Sequence, residues 1–166
     1  CNYFPNNNFL DFKLTGLQGD VMKESMNVAK TLAWKLTDNS QKKHILKNYK
    51  DQGIHIHCPE GSIPKDGPSA GTAITIAIYS LLNNKKINNK IAITGEINLQ
   101  GKISAIGGLK LKILGGIKAG VNKFIFPKEN ESDFTKIKEE ENDILNDVEF
   151  NSVENIEDVL KIIFIE

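Results

Sequence analysis

The segment from Pro68 to Leu82, PSAGTAITIAIYSLL, constrains the fold more than any other part of the chain. Its apolar residues recur at intervals of three and four, which is the spacing of one face of an α-helix. The repeating positions are Ala70, Ala73, Ile74, Ala77, Ile78, Leu81 and Leu82. Pro68 suits the first turn of a helix, where its missing N–H is not needed. The pattern predicts a core helix with Ser69 at its N-terminus.

Strand and helix patterns alternate on both sides of this segment. Alternating or continuous apolar runs predict strands in FLDFKLTG, GIHIHCPEG, KIAITGEI, KFIF and DVEFNSV. Helical spacing occurs in GDVMKESMNVAKTLAWKL, GLKLKILGGIKAG, SDFTKIKEEENDIL and ENIEDVLKIIFIE, and weakly in TDNSQKKHILKNYKDQ. The polar lead NYFPNNN is assigned to no element, and EINLQGKISAI predicts a hairpin that turns near Gln100 and Gly101. We expect an α/β fold of the mixed α+β kind, a single compact domain with a mixed sheet and flanking helices.

Composition excludes several functions. The chain has 166 residues, 21 basic and 21 acidic, so it lacks the basic excess that nucleic acid or an anionic membrane would need. No apolar run approaches the roughly 20 residues of a membrane span. Cys1 and Cys58 could pair only once, which favours an intracellular, thiol-reducing compartment. Because the sequence begins with Cys and not Met, we expect it to be a fragment of a longer protein.

Ser69 lies in GPSAG, which matches the G-x-S-x-G turn that exposes the nucleophile of α/β-hydrolases. The simpler interpretation is a serine that caps a helix. The hydrolase turn requires a histidine later in the chain, but His44, His55 and His57 all precede Ser69. An esterase of that fold is therefore disfavoured. Chain order alone leaves His57 open as a base, since other serine proteases place histidine first.

The residues of HIHC offer weak alternatives. His55 and His57 share one face of a predicted strand, while Cys58 points to the other, which disfavours a Cys–His pair. A zinc site is also weakly supported, because no Cys or His follows to complete it. We predict no metal and no cofactor in this chain.

A lysine is the remaining candidate base for Ser69. A free lysine amine, with a pKa of about 10.4, must be desolvated before it can accept a proton at neutral pH. Lys110 and Lys112 lie among apolar residues in GGLKLKILGGIKAG, and periodicity does not choose between them. The N–H groups at the start of the helix could hold the oxyanion of a tetrahedral intermediate.

PKDGPSAG, TGEI and GGLKLK, in this order, resemble the proteolytic domain of the Lon family of ATP-dependent proteases. The likeness runs from LTGLQGDVMKES to FIFPKEN and fades in the acidic tail. It implies that Ser69 is the nucleophile and that Lys112, not Lys110, is the base. It further implies that Thr94 bonds the lysine and that Asp66 changes position when the site becomes active. The resemblance gives only supporting roles to Glu96, His55 and His57.

The resemblance also implies a larger assembly. Residues 1–166 would be one proteolytic domain of a homohexamer that degrades unfolded or damaged proteins, while the substrate-binding region and an AAA+ module with ATP and magnesium would lie outside this chain. GEINLQGK has the wrong spacing for a phosphate loop. The rival hypothesis is a catalytically silent Lon-like scaffold. Family membership implies the cytoplasm in a bacterium and the mitochondrial matrix in a eukaryote, and the asparagine runs weakly favour a eukaryote.

Overall fold

The computed structural model describes residues 1–165; Glu166, the last residue of the predicted C-terminal helix, lies outside them. The strands are β1 (Asn2–Pro5), β2 (Phe12–Thr15), β3 (Gln52–His57), β4 (Ile91–Ile93), β5 (Glu96–Ile97), β6 (Ile103–Ser104), β7 (Lys123–Pro127) and β8 (Glu149–Val153). The helices are α1 (Asp20–Leu36), α2 (Asn39–Asn48), α3 (Gly71–Asn83), α4 (Leu109–Lys118), α5 (Glu131–Glu140), α6 (Asn142–Leu145) and α7 (Ile156–Leu160), with a 3-10 turn at Lys128–Asn130. The mixed α+β class predicted from sequence is confirmed.

The strands form three small sheets where the sequence predicted one mixed sheet. In the first, β3 lies between β1, which is antiparallel to it, and β2, which is parallel. In the second, β7 pairs in parallel with β4 and β8. The predicted hairpin is the third sheet, β5 and β6, with Glu96 opposite Ser104. Only the first sheet is mixed, so strand direction differs from one part of the fold to the next.

Helix α3 connects two hydrophobic clusters. Its Ile74 and Ile78 pack with residues of α1 and β3, while its Ile76 packs with β7 and α7. A helix that buries residues on more than one face belongs in the interior of a domain. Strand β7 alternates in the same way, because Ile125 joins the second cluster and Phe124 the third. The packing of α3 on β7 therefore holds α3 against the sheet of β4, β7 and β8.

Two predictions about strands were wrong. The lead NYFPNNN contains β1, whose Asn2–Pro5 pair with β3 about fifty residues away along the chain, so no local pattern signals it. The segment KIAITGEI is divided into β4 and β5, because the amide of Thr94 bonds the carbonyl of Ile125 while that of Gly95 bonds the carbonyl of Ser69. Val21, which the helical spacing of GDVMKESMNVAKTLAWKL places on the apolar face of α1, is 48% exposed.

Candidate active site

Ser69 lies in a turn directly before α3 and not in the helix. The helix begins at Gly71 with Ala70 as its N-cap and no side-chain cap hydrogen bond, so Pro68 is not in the first turn and Ser69 does not cap the helix. The turn is closed by a hydrogen bond from the Gly71 amide to the Pro68 carbonyl at 2.9 Å. Gly67, before the proline, has φ +101°, a conformation that favours glycine. The turn leaves the Ser69 side chain free to face a cavity.

The backbone of Ser69 is fixed by the segment between β4 and β5. Its carbonyl oxygen accepts hydrogen bonds from the Gly95 amide at 2.9 Å and from the Thr94 hydroxyl at 3.2 Å. The Gly95 carbonyl in turn accepts from the amide and the hydroxyl of Thr72, at 3.1 and 2.9 Å. Thr72 is completely buried. These reciprocal bonds hold the serine turn against the end of β4.

Lys112 reaches Ser69 from α4. Its Nζ atom donates a hydrogen bond to Ser69 Oγ at 3.2 Å. Lys110 faces elsewhere, because its amine contacts Glu140 at 2.8 Å and Glu141 at 2.7 Å. The hydrogen bond to Glu140 is the main reason that the pKa of Lys110 is raised above its ordinary value. Periodicity did not choose between the two lysines, and the structure brings only Lys112 within hydrogen-bond distance of Ser69.

The surroundings of this pair are mostly apolar. Ser69 and Lys112 share a cavity of about 280 Å³, open to solvent, with Thr94. The rest of its lining is Ala70, Ala73, Ala92, Ile93 and Phe124. Lys112 is half-buried there, although α4 itself is less buried than predicted, with Leu111 77% exposed. A cavity of this kind can hold the apolar part of a peptide next to the serine.

The N–H groups at the helix start are partly occupied. The Gly71 and Thr72 amides already donate to Pro68 and Gly95, so they are not available to an oxyanion. The Ser69 and Ala70 amides make no hydrogen bond within residues 1–165. The expectation of free donors therefore applies to these two amides, which lie two residues and one residue before the first residue of the helix, Gly71.

Thr94 makes a contact that differs from the one implied by the resemblance, and Asp66 contacts the start of α1. Thr94 donates to the Ser69 carbonyl and not to Lys112. Asp66 Oδ1 accepts from the Met22 amide in the first turn of α1 and from the Gly67 amide, both at 2.8 Å. These two hydrogen bonds lower the pKa of Asp66 below its ordinary 3.8, and the bond from the Met22 amide has the larger effect. In this structure Asp66 caps α1, a role that favours the ionised carboxylate.

The other predicted supporting residues do not contact the pair. His55 Nε2 and His57 Nδ1 lie 3.0 and 2.8 Å from the Thr15 hydroxyl on the neighbouring strand β2. Glu96 is exposed and lines a separate cavity with Pro68. Sequence reasoning missed Thr72, Gly95 and Phe124, since nothing in their local pattern distinguishes them from core residues.

Between Cys1 and Ile165, no group of three or more His, Cys, Asp or Glu side chains could hold a metal ion. None of the helices in that range has the length and hydropathy needed to cross a membrane.

Comparisons with known proteins match nearly the whole chain to one protein family. The sequence model of the Lon protease (S16) C-terminal proteolytic domain matches residues 4–166. The chain is 42% identical to a Lon protease of Fervidobacterium nodosum over 149 residues, which are 90% of this chain and 18% of that protein. It is 43% identical to Lon proteases of Clostridium beijerinckii and Methanosarcina barkeri, each over 89% of this chain and 18% of the relative. The chain thus spans about a fifth of the length of these relatives.

The hydrogen bond from Lys112 to Ser69 is typical of the serine hydrolases in which a lysine lies beside the serine. The resemblance seen in the sequence is confirmed by the match to the family model. The chain belongs to the family of Lon protease (S16) C-terminal proteolytic domains and is a serine peptidase domain.

Proposed function

We propose that Ser69 is the nucleophile and Lys112 the general base of this peptidase domain. The supporting observation is the 3.2 Å contact from Lys112 Nζ to Ser69 Oγ beside an apolar cavity. A neutral Lys112 amine accepts the hydroxyl proton as Oγ attacks the carbonyl carbon of a peptide bond. The lysine then gives this proton to the leaving amine nitrogen, and an acyl-enzyme ester remains. Water, deprotonated by the same lysine, hydrolyses the ester and restores the serine.

The oxyanion needs donors that the fold has not already used. The Ser69 and Ala70 amides meet this requirement. Each such donor lowers the barrier by roughly 3 kcal/mol in serine proteases. Thr94 and Gly95 contribute by fixing the Ser69 carbonyl, and therefore the direction of its amide and side chain. Asp66, Glu96, His55 and His57 stay proposed supporting residues, and a change in the position of Asp66 on activation stays a prediction.

The test is substitution of each lysine in the complete protein. Ser69→Ala and Lys112→Ala should each lower kcat for peptide cleavage on the order of a thousandfold or more, because each removes a group that reacts. Lys110→Ala is the matched control, two residues away and paired with Glu140, and should retain activity. Loss of activity in Lys110→Ala but not in Lys112→Ala would show that the base is misassigned.

The rival functions predict other results. A silent scaffold would show no proteolysis in the parent protein and no effect of Ser69→Ala. An esterase would cleave short acyl esters well and peptides poorly. The retained pair of Ser69 and Lys112 supports the peptidase.

For the protein as a whole we propose an ATP-dependent Lon protease that degrades misfolded or regulatory proteins as a homohexamer, with residues 1–166 as a single proteolytic domain. The names of the relatives and their greater length support this. ATP and magnesium would bind in an AAA+ module beyond this chain. The nearest likeness to a phosphate loop, Gly95–Lys102, forms the β5–β6 hairpin, whereas a phosphate loop joins a strand to a helix.

The compartment follows from the host. We propose the cytoplasm for a prokaryotic protein and the mitochondrial matrix for a eukaryotic one. The relatives in Fervidobacterium nodosum and Clostridium beijerinckii support the first. Localisation of a tagged complete protein in its own host would decide between them.

A further inference from the structure

A second cavity lies on the other side of the Ser69 turn. It has a volume of about 200 Å³ and is bounded by residues of α1, of the turn and of β5. Its apolar walls are Val21, Val28, Pro68 and Ile97. Drug-sized ligands occupy pockets of roughly 300–1,000 Å³. This cavity is smaller, which suits one amino-acid side chain. We name it the α1–β5 cavity.

Two of the three polar side chains that line the α1–β5 cavity are acidic. Glu24 and Glu96 line it, and neither forms a salt bridge within the described range 1–165. The nearest basic residue along the chain, Lys23, is paired with Asp20 at 3.3 Å. Two carboxylates that line one small cavity make it acidic, so binding of a cation there is favoured. Their charge therefore selects a positively charged ligand.

Ser25 gives an independent indication that the α1–β5 cavity binds a ligand. Ser25 is only 8% exposed, yet its hydroxyl makes no hydrogen bond inside the described part of the chain. Among the described residues, the buried side-chain atom without a partner is Asn151 Oδ1, so Ser25 Oγ is not sealed inside the protein and is accessible from the cavity that Ser25 lines. The Oγ atom abuts Gly71, at 2.8 Å from the place where a Cβ would be. The Ser25 hydroxyl, which can both donate and accept a hydrogen bond, is thus available at the inner end of the cavity, next to the serine turn.

The α1–β5 cavity lies next to the candidate active site, because residues that line it are neighbours of Ser69 and Gly95 along the chain. Pro68, in its wall, precedes Ser69 in the chain. Glu96 follows Gly95, whose amide holds the Ser69 carbonyl at 2.9 Å. The turn from Pro68 to Gly71 therefore separates the two cavities, one apolar beside Lys112 and the other acidic beside α1. An extended peptide that crosses Ser69 can place alternate side chains on opposite sides of the turn.

We propose that the α1–β5 cavity is a substrate subsite for a lysine or arginine side chain near the cleaved bond. This rests on the proposed function of Ser69. The aliphatic stem of the basic side chain packs on the valine, proline and isoleucine walls, and its cationic head contacts Glu24 and Glu96. Such amphipathic side chains match a cavity with apolar walls and charged groups better than neutral or acidic ones do.

The test compares peptides that differ at one position. A fluorogenic peptide receives lysine, norleucine or glutamate at each position in turn around the cleaved bond, and kcat/KM is measured with the complete protein. At one position lysine should be preferred to norleucine. In Glu24→Gln and Glu96→Gln, the lysine to norleucine ratio at that position should fall by roughly two- to fivefold each, as expected for a partly exposed ion pair. High salt should lower the same ratio in the parent protein.

A control variant outside the cavity and a variant with reversed charge in its wall test whether the preference arises from the α1–β5 cavity. Glu139→Gln removes an exposed acid of α5 outside this cavity and should leave the ratio unchanged. Glu96→Lys should shift the preference towards glutamate at the same position. Ratios that are equal in all variants would overturn the subsite, even if overall rates change. If the parent protein cleaves none of the peptides, or Ser69→Ala cleaves them as well, the proposed function itself fails.

Discussion

Gly116 lies directly against the ring of Phe124. A methyl group on Gly116 would come within 2.3 Å of Phe124 Cζ, so only glycine fits between α4 and β7. The ring has little room to move, since Phe124 is buried and its ring centroid lies 6.0 Å from that of Phe150. Gly116 is one turn after Lys112 on α4. The close contact therefore sets the distance from which Lys112 reaches Ser69.

We expect Gly116→Ala to move α4 away from β7 and Lys112 away from Ser69. Overpacking of this kind costs about 1–3 kcal/mol of unfolding free energy. Misplacement of a catalytic group by about 1 Å lowers activity up to a hundredfold. The measurement is kcat/KM for a peptide together with urea unfolding.

Gly115→Ala is the matched control, because nothing lies within 4 Å of its added methyl group. It should keep full activity and gain about 0.5–1 kcal/mol in stability. Equal activity in the two variants would contradict the role of Gly116.

Thr72→Val should weaken the attachment of the serine turn. The substitution keeps the shape but removes the hydroxyl that donates to the Gly95 carbonyl at 2.9 Å. We expect a loss of about 0.5–1.5 kcal/mol in stability and a fall in kcat with little change in KM, because Ser69 and its amide lose their fixed direction. Thr72→Ser restores the donor and should recover both values. A normal kcat in a destabilised Thr72→Val would mean that the hydroxyl serves only stability.

Asp66→Asn should change the pH dependence of stability. The Met22 and Gly67 amides lower the pKa of Asp66 in the folded chain below the ordinary 3.8 of the unfolded chain. A carboxylate of this kind adds stability that is complete above 3.8 and is lost as pH falls through the lower folded pKa. Asparagine can still accept the amide bonds but does not ionise. The difference in unfolding free energy between parent and Asp66→Asn should therefore shrink at acidic pH.

The control for Asp66 is Asp147→Asn. Asp147 is exposed and makes no side-chain hydrogen bond within the described residues, so its stability difference should vary less with pH. Urea unfolding on both sides of pH 3.8 measures both differences. A difference for Asp66→Asn that stays constant through acidic pH would show that the carboxylate is not held by these amides.

Much of the local structure could be predicted from the chain itself. The apolar face of α1, the interior position of α3 and the alternation of Ile54 and Ile56 in β3 appear in the structure, because such patterns report burial within one element. The β5–β6 hairpin was also predictable, since its turn is local. Strand β1 was not, because its partner lies far away along the chain.

The candidate site divides in the same way. The sequence determined that Ser69 stands at the start of a core helix and that two lysines lie two residues apart on a later helix, because residue type and spacing are local properties. Only the tertiary structure decided that Lys112 contacts Ser69 while Lys110 pairs with Glu140 and Glu141. That choice depends on the rotation of α4 and its distance from β7, which the packing of Gly116 on Phe124 fixes. The rotation and distance of a helix are set by contacts between segments that are far apart along the chain, so no single segment determines them.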